Sequence, residues 1–166
     1  MINPGSQLRH VMEQANLQLE SIHESQAALR LKPGSWSMKE ILGHLIDSAS
    51  NNHKRFVVAK LVHHLEFDGY AQEDWVRVQR YEDRAWADLV DLWVALNLHI
   101  AHTLEATTDE VLDLQREHHN LETIAWKTLP ANEPATLRYF AEDYKLHLEH
   151  HLRQIQAILD HHFASQ

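Results

Sequence analysis

His147 and His151 lie four residues apart, and their spacing makes them the first place to look for chemistry in this chain. At about 100° per residue they fall within about 40° of Phe140 and Ile158, and Leu137, Tyr144 and Ile155 extend the same stripe. Two imidazoles stacked one turn apart on an apolar helix face can share one metal ion. They can equally be core histidines satisfied by hydrogen bonds, and spacing alone leaves both readings open. His44 stands on a second amphipathic segment, in a polar line formed by Glu40, His44, Asp47, Asn51 and Arg55 beside Ile41, Leu45 and Ser48. A polar line flanking a core stripe is where a helical bundle keeps a wet pocket. His44 can therefore supply a third nitrogen from across such a bundle, although spacing does not by itself single it out. Three histidines with a fourth position left open are the pattern of a reactive metal site.

The chain has 15 His, as many as Lys and Arg together, so the question is which of them face the core. His99 and His102 lie nearly opposite the Trp86, Trp93 and Ile100 stripe and read as solvated. His63, His64, His118, His119, His161 and His162 fall near loops or helix ends and read as surface residues. His10, His23 and His53 have no partner at ligand spacing, and His150 lies to the side of the His147 stripe. Trp36, Trp86 and Trp93 read as core.

Composition removes whole classes of function. Cys is absent, so disulfides, thiolate nucleophiles, Cys-ligated zinc and iron–sulfur clusters are excluded. A net charge of −9 is unsuited to nonspecific nucleic-acid binding, which runs on neutralised phosphates. No Gly-rich phosphate loop and no Ser-nucleophile elbow occurs. No stretch is long and apolar enough to span a bilayer, and no basic segment followed by an apolar run opens the chain. The expected setting is cytoplasmic, with no membrane partner.

Four long amphipathic patterns must position these residues. The first runs from about Ser6 to Leu31, where Lys32-Pro33-Gly34-Ser35 stops it. The second starts at Ser37, whose Ser-x-x-Glu run to Glu40 is a capping box with Trp36 placed to staple onto Ile41; it extends to about Leu65. Glu66 to Asp74 reads as a loop. The third lies within Asp83 to Glu105, with a short helical turn at Val111 to Leu114. Residues 115–134 read as an irregular crossover, and the fourth helix spans Ala135 to His162. With 166 residues and only 4 Gly and 4 Pro, this predicts one all-α domain over residues 1–166, a four-helix bundle with one long crossover connection.

Two segments carry a resemblance. Gly34 to Ser48, reading GSWSMKEILGHLIDS, resembles the first motif of the DinB/YfiT-like superfamily of metal-dependent enzymes. Asp143 to Ile155 resembles its second, an H-x-x-H-H-x-x-Q-I run on the last helix. The resemblance implies an up-down-down-up four-helix bundle holding a divalent metal, zinc or nickel, through His44, His147 and His151. Some relatives carry a further His where this chain has Gln154, so no fourth protein ligand is expected there. Relatives include enzymes that transfer low-molecular-weight thiols to electrophiles, and isomerases, and homodimers are common among them. The expected function is a metal-dependent transferase or hydrolase acting on a small molecule, with a non-catalytic metal- or ligand-binding module as the alternative. Any thiol must come from the substrate, because the chain has none. Asp47, one turn from His44, is the expected proton-transfer residue. Glu40 and Arg55 are expected to position a polar substrate. The pocket is expected between the second and fourth helices, with Asp47, Asn51 and Arg55 on one wall and Tyr144 on the other. Imidazoles titrating near ~6.5 would lose the metal as pH falls through that region.

Overall fold

A computed structural model describes residues 2–163. Its helices are α1 (Pro4–Glu20), α2 (Glu24–Ala27), α3 (Met38–Ala59), α4 (Gln72–Gln79), α5 (Trp86–Glu105), α6 (Asp109–Asp113), α7 (Leu121–Ile124) and α8 (Leu137–Phe163), with a 3-10 turn at Tyr81–Asp83. Among the described residues no strand forms; isolated bridges join Leu65 to His119 and Arg116 to Ala135.

The starts of the helices follow from their caps. Asn3 Oδ1 accepts from the Gly5 N–H at 2.8 Å, with Pro4 at the first helical position. The capping box of α3 forms as expected: Ser37 Oγ accepts from the Glu40 N–H, and Glu40 Oε2 accepts from the Ser37 N–H at 2.9 Å. Thr136 Oγ1 accepts from the Tyr139 N–H at the head of α8.

Several ends differ from the periodicity. The first helix stops at Glu20, not Leu31, because Ser21 Oγ donates to the Gln18 carbonyl at 2.6 Å and His23 turns extended. Helix α3 stops at Ala59, not Leu65. The buried Arg116 guanidinium takes the Ala59 carbonyl, and Leu65 instead pairs its backbone with His118 and Asn120. The segment read as a loop contains the start of α4. That helix buries only Val76, so it carries too short an apolar stripe for periodicity to register.

The long helices α1, α3, α5 and α8 form the bundle. Helix α1 packs on α5 and α8, and α3 packs on the same two, so α1 and α3 sit on one diagonal. Side-chain contacts fix the directions. Arg9 pairs with Glu105 while the Trp86 indole reaches the Leu19 carbonyl, so α1 and α5 are antiparallel. Lys39 reaches the Arg84 carbonyl and Lys60 the Thr103 carbonyl, so α3 and α5 are parallel. Lys145 meets Gln7 and Gln18 meets Gln156, so α8 runs with α1. The result is the up-down-down-up order. Parallel α3 and α5 require a lengthwise return, made by residues 60–85. The excursion between α5 and α8 begins and ends at one end of the bundle, where buried Arg138 pairs with Asp109 and Asp113.

Trp86 and Trp93 are core residues as expected, with Phe56 and Phe140 between α3 and α8. Trp36 is not: it is half-buried and lies against the His44 ring, with centroids 5.2 Å apart. Gly43 shapes the site from behind. A Cβ there would fall 2.1 Å from the Tyr81 ring, so only glycine lets the 3-10 turn lie flat on α3 beside His44. Among the described residues, no helix is long and apolar enough to cross a membrane.

Candidate metal centre

His44 projects from the second turn of α3 into the bundle, opposite the middle of α8, where His147 and His151 stack one turn apart. Their ligand nitrogens all lie within 4.8 Å of one another. His44 Nε2 is 3.2 Å from His147 Nε2, and His147 Nε2 is 3.1 Å from His151 Nε2. His44 is fully buried, His151 is buried and His147 half-buried.

Hydrogen bonding does not account for this triangle. His151 Nδ1 lies 2.8 Å from Gln154 Oε1, an acceptor, so its Nδ1 carries the proton and its Nε2 presents a lone pair. If His147 Nε2 carries a proton, it can be aimed at His151 or at His44 but not at both; if it is bare, it can accept from His44 but then sets its lone pair against that of His151, so either way one short contact is left without a hydrogen bond. One cation accepting three lone pairs resolves it. Two nitrogens bonded at 2.0–2.1 Å to one tetrahedral ion lie about 3.3–3.4 Å apart, close to the separations seen. The donor set suits a divalent metal, and Gln154 does not supply a fourth ligand but holds the third. His44 Nδ1 is buried without a partner.

Burial also sets the protonation. It pushes His44 and His147 down to about 3 and His151 to about 4, with mutual repulsion among the rings adding to the effect on the first two. The three are therefore neutral, as ligation requires, well below the pH at which an ordinary histidine charges. This moves the expected loss of metal affinity from near ~6.5 to lower pH.

His147 and His151 line a cavity of about 480 Å³ between α3 and α8, with His44 behind them. Ser48, Asn52 and Arg55 line it from α3, and Phe140, Tyr144, His147 and His151 from α8. The rest of its wall comes from Gly69, Tyr70 and Gln72 and from the crossover, residues 123–126. Buried Asp143 holds that wall: its two carboxylate oxygens accept from the Trp126 and Lys127 N–H groups at 2.9 and 2.6 Å. Trp126 consequently stands over the α8 histidines, its ring centroid 4.5 Å from that of His150 and 5.6 Å from that of His147.

The polar line on α3 divides. Arg55 and Tyr144 line the cavity as expected, with the Tyr144 hydroxyl donating to Asn97 Oδ1. Asp47 does not. Its Oδ1 accepts from the Tyr81 hydroxyl at 2.6 Å and from Gln79 Nε2, so the carboxylate faces the α4 side, where burial raises its pKa. Asn51 lines a neighbouring cavity with Lys54 and Asp68 instead. Glu40 is committed to Arg30 and the α3 cap. His119, read as a surface residue, is buried, with Nε2 2.7 Å from the Glu133 carbonyl and Nδ1 accepting from the Leu121 N–H; it fastens the crossover. His99 and His102 are exposed as expected. The wall-forming residues Asp143 and Trp126 and the orienting Gln154 were not picked out for these roles by spacing.

The sequence matches the DinB superfamily over residues 6–155. The chain belongs to that superfamily. Among solved structures, this DinB-superfamily chain is similar to YfiT from Bacillus subtilis, described as a probable metal-dependent hydrolase with an unusual four-helix bundle topology. The TM-score is 0.73 at 19% identity, over 93% of this chain and 85% of that one, a likeness of fold. No curated protein matches the chain in sequence.

Proposed function

We propose that this DinB-superfamily protein is a metal-dependent enzyme acting on a small molecule, either transferring a substrate thiol to an electrophilic carbon or hydrolysing its substrate. The observation that carries this reading is the meeting of three imidazole nitrogens, two of them from rings that line a cavity large enough for a small substrate. His44, His147 and His151 would hold a divalent ion. Imidazole sets favour zinc or nickel over magnesium or calcium. When bound, such an ion supplies Lewis acidity toward a substrate thiol or water. Gln154 keeps His151 in the tautomer that presents Nε2. Trp126 and the 123–126 wall cover the His147 side of the cavity. Asp47 acts as a positioning residue: it anchors Tyr81, which packs on α3 at Gly43 one residue before His44.

Elemental analysis of untagged protein, followed by thiol-plus-electrophile and ester assays on zinc- and nickel-loaded samples, tests this. About one divalent ion per chain with metal-dependent turnover is expected. Stoichiometric metal with no turnover across both screens refutes the enzymatic reading in favour of a binding module. Absence of metal uptake refutes both.

A further inference from the structure

Arg55 is a buried cation, 7% exposed, whose acidic neighbour Asp68 acts on it only from beyond ion-pair distance. Among the described residues it forms no ion pair. Its Nη2 donates to the Asp68 carbonyl at 2.6 Å, and its Nη1 makes a long contact of 3.4 Å with Asn52 Oδ1. Its Nε–H has no acceptor in the protein, yet is not sealed off as the Arg116 Nε is. Buried Arg138, by contrast, is held between Asp109 and Asp113. A guanidinium taken out of water without an ion-pair partner is costly unless its N–H groups are met, as those of buried Arg116 largely are by the Leu114 and Ala59 carbonyls.

Arg55 stands in the wall shared by two cavities. The second already holds Glu66 and Asp68 beside Lys54, a poor place for an anion. The cavity beside the histidines is different. The carboxylate on its lining is Asp143, and both of that residue's oxygens are occupied by backbone N–H groups. The free N–H groups of Arg55 are the cationic feature at the end of that cavity away from the triad. His44 and Arg55 are eleven positions apart on α3, about 16 Å of helix, and helical side chains lean back by up to about a turn.

We propose that Arg55 anchors an anionic oxyacid group, a carboxylate or a phosphate, at the far end of a substrate whose reacting end lies at the histidine triad. The second half of that statement rests on the function proposed above; the anion site itself does not. The substrate class is thus an elongated small molecule with an acidic group roughly 11–16 Å from its reacting atom. The planar fork of arginine suits either oxyacid.

Two measurements test this. In the first, isotope-labelled metal-free protein is titrated with acetate and with inorganic phosphate at matched ionic strength, with chloride as control, and the Arg55 Nε–H resonance is followed by NMR. A saturable shift with acetate or phosphate but not chloride is expected, and the tighter of the two names the group. Arg55→Gln should weaken that binding at least about tenfold, the discrimination of a charge-assisted hydrogen bond, with Arg55→Lys intermediate. No saturable shift in the wild-type protein, or equal binding by Arg55→Gln, overturns the anchor. In the second, cobalt-loaded protein is titrated with mercaptoundecanoate against mercaptoundecanol, and with mercaptoacetate against mercaptoethanol, by visible absorption. The long acid should outbind its alcohol by about tenfold, the short acid should show no such gain, and Arg55→Gln should erase the difference. Thiol binding without an advantage for the long acid refutes the anchor and leaves the metal site standing. Failure to take up cobalt refutes the metal site, while the anion titration still decides Arg55.

Discussion

Metal-free protein should lose stability steeply on mild acidification, and the histidine triad sets the size of the loss. Burial holds His44, His147 and His151 at about 3, 3 and 4, whereas in the unfolded chain each returns to about 6.5. Between those limits the unfolded state binds more protons than the folded one, so stability rises with pH and falls as pH drops below ~6.5. At about pH 5.5 each unfolded histidine gains ~1.4 kcal/mol from protonation that its folded counterpart does not, and the three together remove ~4 kcal/mol. Against a total of about 5–15 kcal/mol for a domain, that is a large fraction. The assay is urea unfolding followed by circular dichroism, with a chelator present, at about pH 7.5, 6.5 and 5.5. The control is the triple variant His44→Gln, His147→Gln and His151→Gln, which should flatten most of the slope while the other twelve histidines remain. A wild-type stability that is flat or rises toward pH 5.5, or an equally steep triple variant, would refute the reasoning.

Other outcomes follow from the same geometry. His151→Ala and His44→Ala should each remove most of the bound metal in elemental analysis while far-ultraviolet circular dichroism keeps its helical signal; unchanged metal in both would exclude the triad. Gln154→Ala should weaken metal affinity about 10–100-fold in competition titrations, because His151 loses its orienting acceptor; an unchanged affinity would show that packing alone sets the tautomer. Asp47→Ala should cost about 1–3 kcal/mol in denaturant unfolding by leaving the Tyr81 hydroxyl and Gln79 unpaired, with metal content preserved; selective loss of turnover at full stability would instead make Asp47 a proton-transfer residue. Duplex DNA should not be retained at physiological salt in a fluorescence-anisotropy titration, given the net charge of −9; tight binding with a steep salt slope would overturn that.

What the sequence made legible is what repeats at helical spacing. The stripe of α8 carries its apolar residues and both ligand-spaced histidines on one face, so periodicity locates the face and the pair together. The box at Ser37 and Glu40 likewise marks the start of α3, because capping needs only two residues three apart. His44 lay on the right helix, but a contact across the bundle has no period, and the motif resemblance was needed to choose it.

The rest depended on single long-range bonds. Asp143 sits on α8 like any polar residue beside a core stripe, and nothing in its spacing says that both oxygens will be taken by the N–H groups of Trp126 and Lys127. Yet that carboxylate turns a stretch without periodicity into a cavity wall and brings Trp126 over the histidines. The polar line on α3 shows the same limit from the other side. Helical spacing put Asp47 and Arg55 on one edge, but Tyr81, able to lie on the helix because residue 43 is glycine, draws Asp47 to the α4 side. Arg55, two turns further on and without a carboxylate at ion-pair distance, stays with the cavity. A polar face read from sequence is therefore divided by whichever neighbouring element first satisfies each group. Arg55, without a carboxylate at ion-pair distance, is the member of that line that still faces the cavity.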